Sequence, residues 1–487
     1  MRTRIFFYML LLLCLSCSDE KKMSTIQSDN KVTIFPDYSD VTIPTNVAPL
    51  NFHIQLSGNK FYVLFKSSHY SFTIKTKSQF VTIPESKWKT LLSDGANSNI
   101  SITIKKEDNG KLICYPAISL KVAQEKMDPY IVYRLIDPGY ALWNQMGIYQ
   151  RNIENYTQTA IYENKLTNYN CVNCHSFCMQ DPNKMLFHMR AKFGGTVIID
   201  GKKIEILNTK TDKTISALVY PSWHPSGKFV AFSVNKTTQG FHSNQRVEVF
   251  DFASDVVVYD IHNHQIITTN KIFSPNSFET FPTFSPNGKT LYFCSASACP
   301  MPDSLNSLKY DLCSITFDSS SKTFGDHVDT LVSASRINKS ISLPRVSPDG
   351  KYLICTVSSY GTFPIWHEDA DLYLINLQTG KGSLLDDANS NDTDSYHSWS
   401  SNSRWIVFSS RRLDGLYSRP YFAYINKNGK ASKPFLLPQK EKDYYTYLNK
   451  SFNIPEFVKG KVVDKAWEIK SKARNPKGGT SISFLEK

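Results

Sequence analysis

A short motif returns four times in the second half of the chain and constrains the fold more than any other feature. The copies are Pro221-Ser222-Trp223-His224-Pro225-Ser226-Gly227-Lys228, Pro282-Thr283-Phe284-Ser285-Pro286-Asn287-Gly288-Lys289, Pro344-Arg345-Val346-Ser347-Pro348-Asp349-Gly350-Lys351 and Ser398-Trp399-Ser400-Ser401-Asn402-Ser403-Arg404. Each joins two apolar runs through a tight turn, and most are followed by a Tyr/Phe-rich run and a polar turn, as at 373–380. Four short strands recurring every 53–62 residues specify a β-propeller, because one such unit cannot bury its faces alone and a ring of them can. A fifth copy starts at His175-Ser176-Phe177, with Asp181-Pro182-Asn183-Lys184 as its turn. Five blades are readable, and the spacing leaves room for a sixth.

Overlapping that fifth copy is Cys171-Val172-Asn173-Cys174-His175. This C-x-x-C-H pattern fastens a haem through two thioethers and ligates its iron with the adjacent histidine. Thiols three residues apart on a tight turn reach the two vinyl groups of one porphyrin edge. The expectation is one covalent haem c, bound by Cys171 and Cys174 with His175 as the proximal iron ligand. Met185, His188, Met189, His224 and His397 are the distal candidates, with His188 or His397 favoured. In repeat register His175 matches His397, and Glu279 and Arg345 lie near the corresponding starts of two other blades. That places the haem at the channel mouth with polar side chains over one face. Two other readings stand beside it: a metal set of Cys171, Cys174, His175 and Cys178, and structural or bridged thiols.

Arg2 and Arg4 precede an apolar run that ends in Leu15-Ser16-Cys17, which reads as a secretory signal. It is too short to span a bilayer, which takes roughly 20 apolar residues. The ending resembles the lipobox of bacterial lipoproteins, which implies that Cys17 is the lipid-modified mature N-terminus, followed by a flexible tether. Ser18-Asp19-Glu20 behind it resembles the surface-export signal of Bacteroidetes lipoproteins. Six cysteines remain unassigned (Cys114, Cys178, Cys294, Cys299, Cys313 and Cys355), and an exported chain could pair some of them. The net charge of +13 is scattered along the sequence, which fits a solvated surface and not a nucleic-acid groove.

Between tether and motif, residues 31–125 show short alternating runs such as Phe61–Phe65 and Ile100–Ile104, the pattern of an immunoglobulin-like β-sandwich. Residues 126–170 carry apolar side chains at helical spacing (Leu142, Met146, Tyr149, Ile153, Tyr156), which predicts a helical linker. The expected order is a signal peptide over 1–16, a tether over 17–30, the sandwich, the linker, a propeller over 171–455 and a basic tail over 456–487. The acidic loop from Asp386 to Asp394 is a further, weaker calcium candidate. No G-x-S-x-G elbow accompanies the repeats.

The four repeats resemble the blades of TolB-type propellers over about 205–440. Lead-in, C-x-x-C-H and propeller together resemble a Bacteroidetes lipoprotein family described as TolB-like and cytochrome c-like. The resemblance implies an architecture more than an activity. The expected function is a lipid-anchored, exported haem protein of the outer membrane, facing periplasm or cell surface, and working in electron transfer or small-molecule redox with a redox or envelope partner. The alternative is a non-enzymatic envelope scaffold that binds a protein or glycan and whose cysteines are structural.

Overall fold

The computed structural model describes residues 23–137, 145–240, 247–475 and 479–485. Two bodies of β-structure share one apolar core. The first is a sandwich: a seven-stranded sheet faces a three-stranded one, with the helix Glu85–Asp94 beside them. Phe52, Phe61, Phe65, Trp88 and Ile100 are shut away from solvent between the sheets. The strand Thr25–Gln27 runs parallel to Leu112–Cys114 at the edge of the larger sheet, so the expected tether is shorter than 17–30. The signal sequence and Cys17 lie outside the described residues.

The second body is a ring of six blades among the described residues. The first strands of blades 2 to 6 are Val172–Phe177, Leu218–Trp223, Ser277–Phe284, Ser340–Val346 and Asp394–Trp399. Each pairs antiparallel with the next strand across its turn. Blade 1 takes its strands from both ends of this body. Tyr130–Ile136, Gly147–Asn152 and Gln158–Glu163 form its outer part, and Ser451–Val458 is its innermost strand. The ring is therefore closed by hydrogen bonds between segments some 300 residues apart, which removes the open edges an unclosed sheet would leave.

The expected helical linker at 126–170 is corrected by these strands. Gly147–Asn152 buries residues with an interval near three because it packs on both faces, Ile148 in one apolar cluster and Tyr149 against another, so burial does not alternate and the spacing imitates a helix. The bulge opposite it lies in Gln158–Glu163, where Ile161 is the extra residue. The basic tail is corrected too. Residues 456–458 belong to the closing strand, the helix Ala466–Arg474 buries Ile469 against blades 1 and 2, and Gly479–Ser481 and Ser483–Phe484 add parallel edges to blades 2 and 3.

The sandwich is seated on blade 6 and on blade 1. Trp405 Nε1 donates to the Glu125 carbonyl at 2.9 Å, and Ser401 N donates to Asp128 Oδ2 at 2.7 Å. On blade 1, Tyr156 Oη donates to the Pro49 carbonyl at 2.8 Å and accepts from Asn51 Nδ2 at 3.1 Å.

The repeated turns are fixed by side-chain caps, for example Ser285 Oγ to Asn287 Oδ1 and Ser347 Oγ to Asp349 Oδ1, each 2.7 Å. Gly288 sits at φ +74° directly over the His224 ring, whose Nε2 bonds the Gly288 carbonyl at 3.1 Å. Gly288→Ala should destabilise the chain by about 2 kcal/mol or more, because the new Cβ meets both a left-handed backbone and a buried ring. Chemical denaturation of the two proteins checks this.

Candidate functional site

The six innermost strands all break their pairing at the same place. A residue with left-handed backbone stands at each break: Cys174, Tyr220, Phe281, Leu343, Tyr396 and Ile454, with φ between 46° and 54°. The residue after it is His175, Pro221, Pro282, Pro344, His397 and Pro455 respectively. Non-glycine residues held there cost about 1–3 kcal/mol each unless their surroundings fix them. Here the fixing is shared round the ring. Ser222 Oγ accepts from Phe284 N and Ser398 Oγ from Phe457 N, both at 3.2 Å, and Glu456 Oε1 accepts from Phe177 N at 3.1 Å. Trp223 and Trp399 each donate Nε1 to a carbonyl of the preceding inner strand.

Cys174-His175 is thus the blade 2 version of a dipeptide that every blade carries. The thiol of Cys174 lies against the Tyr220 backbone, within electrostatic reach of Cys171, Arg134 and Arg190, and burial raises its pKa. His175 lies in the seam against blade 1, beside the Val132 and Ile454 backbones. His397 occupies the matching seam between blades 5 and 6, its Nε2 donating to the Ile354 carbonyl at 2.8 Å. Val132 and Ile354 hold equivalent places, opposite Glu456 and Arg345. His175 therefore fills the slot His397 fills, with the Val132 and Ile454 backbones near its ring and no hydrogen bond as close as that of His397 among the described residues. Burial keeps both rings neutral by lowering their pKa to about 3.

These residues do not fit a thioether-bound haem. Val172–Phe177 is a strand buried along its whole length, not the expected tight turn. Cys171, Cys174 and His175 are 7%, 5% and 3% exposed, and Cys174 faces the ring interior while His175 faces a blade seam. The distal candidates are scattered. His188 is buried on the neighbouring strand opposite Asn173 and bonds Thr196 Oγ1 at 3.3 Å. His397 stands in another seam, Met185 and Met189 are core residues, and His224 is at a turn. Glu279 and Arg345 are also at different depths, two residues before and two after the break of their own strands.

The four-ligand metal reading fails on length. Cys171 and Cys178 flank one strand, and seven extended residues span roughly 20 Å. Among the described residues, no group of three or more His, Cys, Asp or Glu is placed to hold a metal ion. All eight cysteines described are free thiols. In the acidic loop, Asp394 is paired with Arg412 at 2.6 Å and Asp387 with Lys430 at 3.2 Å, so side-chain cations already answer two of its charges.

Sequence reasoning missed the long hairpin of blade 3, Phe229–Gly240 with Glu248–Asp260, twice the length of the corresponding strands in blades 5 and 6. Its far end reaches blade 5, where Glu248 accepts from Tyr360 Oη at 3.0 Å and meets His367 Nε2 at 3.2 Å, all three side chains withdrawn from solvent or nearly so. Nearer the ring, Asp251 accepts from Asn235 Nδ2 at 2.7 Å. The uninterrupted β-branched run Val256-Val257-Val258 was its legible signal.

No family model and no curated protein matches the sequence. Solved structures do resemble the chain in part. TolB from Acinetobacter baumannii is 12% identical and aligns over 77% of this chain and 85% of its own, with a TM-score of 0.43. A DUF4784 family protein from Bacteroides caccae is 7% identical over 73% and 95%, with a TM-score of 0.31. The periplasmic gluconolactonase of Pseudomonas aeruginosa is 10% identical over 66% and 99%, with a TM-score of 0.34.

Proposed function

We propose that the chain is a lipid-anchored envelope scaffold whose propeller binds a protein or glycan partner, with Cys171, Cys174 and His175 as parts of the ring wall. One observation carries this reading: Cys174-His175 has the backbone and the seam position of Tyr396-His397 and of the four residue–proline pairs. A motif recruited as a blade joint needs no cofactor to explain it. The buried, unbridged thiols support the same view, since a raised pKa leaves little of the thiolate that reacts. The membrane anchor rests on Cys17 and the segment before it.

The test is expression in a host that matures c-type cytochromes. Folded protein with no pyridine haemochrome signal is the expected result. A thioether haemochrome that disappears in Cys174→Ser would overturn the scaffold reading. His175→Pro installs the residue that four other blades carry at this position, and it should cost about 1 kcal/mol or less. A large loss would mean that the imidazole does something a seam filler does not.

A further inference from the structure

Between the blade 3 hairpin and blade 4 lies a cavity of about 480 Å³, within the range of small-molecule sites. Phe252, Phe273 and Phe278 form its apolar wall, and Ser254 and Asp255 its polar one. Phe252 is 40% exposed, unusual for a phenylalanine beside a cleft. Asp255 is 5% exposed, accepts the Ser274 N–H at 2.9 Å, and has no ion-pair partner among the described residues. Ser254 is 1% exposed, and its hydroxyl has no partner among the described residues. Behind them Glu279, also 1% exposed, takes the Ser295 hydroxyl on Oε1, lies beside the Ser277 hydroxyl, and has no close partner on Oε2 among the described residues. Buried carboxyls without a cation are costly to ionise. Desolvation accordingly raises Asp255 to about 6, and desolvation together with the Asp255 charge raises Glu279 to about 7. The lysine on the rim, Lys213, holds its Nζ over the Phe484 ring, 5.6 Å from the centroid.

We propose that this cavity binds an organic cation with an apolar body, its ammonium against Asp255 and its hydrocarbon between Phe252, Phe273 and Phe278. The charge supplied by such a ligand is the one the pocket lacks, and its body covers the ring the surface exposes. The site shares no lining residue with Cys174-His175 and does not depend on the scaffold reading.

Isothermal titration of the mature chain with phenethylamine tests it, with 2-phenylethanol as the neutral isostere. Saturable 1:1 binding is expected, at least about tenfold weaker for the alcohol and for Asp255→Asn. Phe252→Ser, at an exposed position, should also weaken it. Affinity for the amine should fall from pH 7.5 to pH 5 as Asp255 protonates. The titratable groups around Asp255 are Glu279 behind it, Lys213 and Cys299 on the cavity wall, and Asp251 on the same strand. Equal binding of amine and alcohol, unchanged binding by Asp255→Asn, or no saturable binding to folded protein would overturn the proposal. Should Asp255→Asn fail to fold, the amine–alcohol comparison and Phe252→Ser decide the matter.

Discussion

A chain ended after Lys450 should lose its cooperative unfolding transition, whereas one ended after Asn475 should melt within a few degrees of the full chain. The first truncation removes Ser451–Val458, the inner strand of blade 1, whose pairing with Tyr130–Ile136 closes the ring. Phe452, Phe457 and Val458 are entirely buried, and at about 1.5–3 kcal/mol for each such side chain their loss alone is comparable to a whole domain's stability of roughly 5–15 kcal/mol. It also takes away the Glu456 carboxylate that receives the Phe177 N–H and so undoes the joint between blades 1 and 2. The Tyr130–Ile136 edge would then face water with unpaired backbone groups. The shorter truncation strips edge strands of three and two residues, which cap blades 2 and 3 from outside. Thermal melts by circular dichroism, with limited proteolysis of the same samples, compare the two. An unchanged transition in the chain ending at Lys450 would mean that ring closure does not hold this fold together.

That dependence on chain ends also explains what the sequence could and could not reveal. Blades 3 to 6 were legible because their turns are local chemistry: a Pro or Ser, an Asn or Asp that caps its own loop, and a glycine or Ser403 at positive φ. Blade 1 was not, since its turn at 153–157 lacks that signature, burial on both faces hides the strand period of Gly147–Asn152, and its inner strand arrives from residue 451. The C-x-x-C-H pattern posed a different difficulty. Five residues specify a chemistry only if the backbone folds them into a turn, and here Val172 and Asn173 pair with Met189 and His188 while Cys174 and His175 form the break within the inner strand. The signal against a haem turn was present in the same register that equates His175 with Pro221 and His397. Proline in that place on four blades requires a joint, and a joint is buried. Asp255 and Ser254 gave no motif at all, because a cavity between a hairpin and the next blade depends on hairpin length and not on residue spacing.

Stability should be nearly flat between about pH 4.5 and 6.5 and fall steeply below it, as two sets of buried groups with opposite signs predict. His175, His188 and His397 are neutral in the fold down to about pH 3, each because burial disfavours its cation. In the unfolded chain they take protons below about 6.5. Their contribution is full above pH 6.5 and is lost as pH falls, because the unfolded state then binds more protons. Glu279 and Glu456 behave oppositely. Burial raises both to about 7, so the fold holds protons that the unfolded chain releases above about 4.5. Their contribution is full below that value and is lost as pH rises toward 7. Asp255 and Asp371, raised by burial to about 6, act in the same sense. Between pH 4.5 and 6.5 the imidazoles and the carboxyls nearly cancel. Below 4.5 these carboxyls are protonated in both states and the three imidazoles give a slope of up to three protons, or about 4 kcal/mol per pH unit. That rate removes a typical stability of roughly 5–15 kcal/mol within a few pH units. Carboxylates that the fold holds low, such as Asp94 at about 2, add to the loss in the same sense. Urea titrations from pH 3 to pH 7.5 measure the curve, and His397→Gln, which keeps a donor for the Ile354 carbonyl, should reduce the acid slope by up to about one proton. A steady decline beginning at pH 6.5 would show that the buried carboxyls are ionised in the fold, and with that the ring interior and the blade 3 cavity would hold water that their exposure does not suggest.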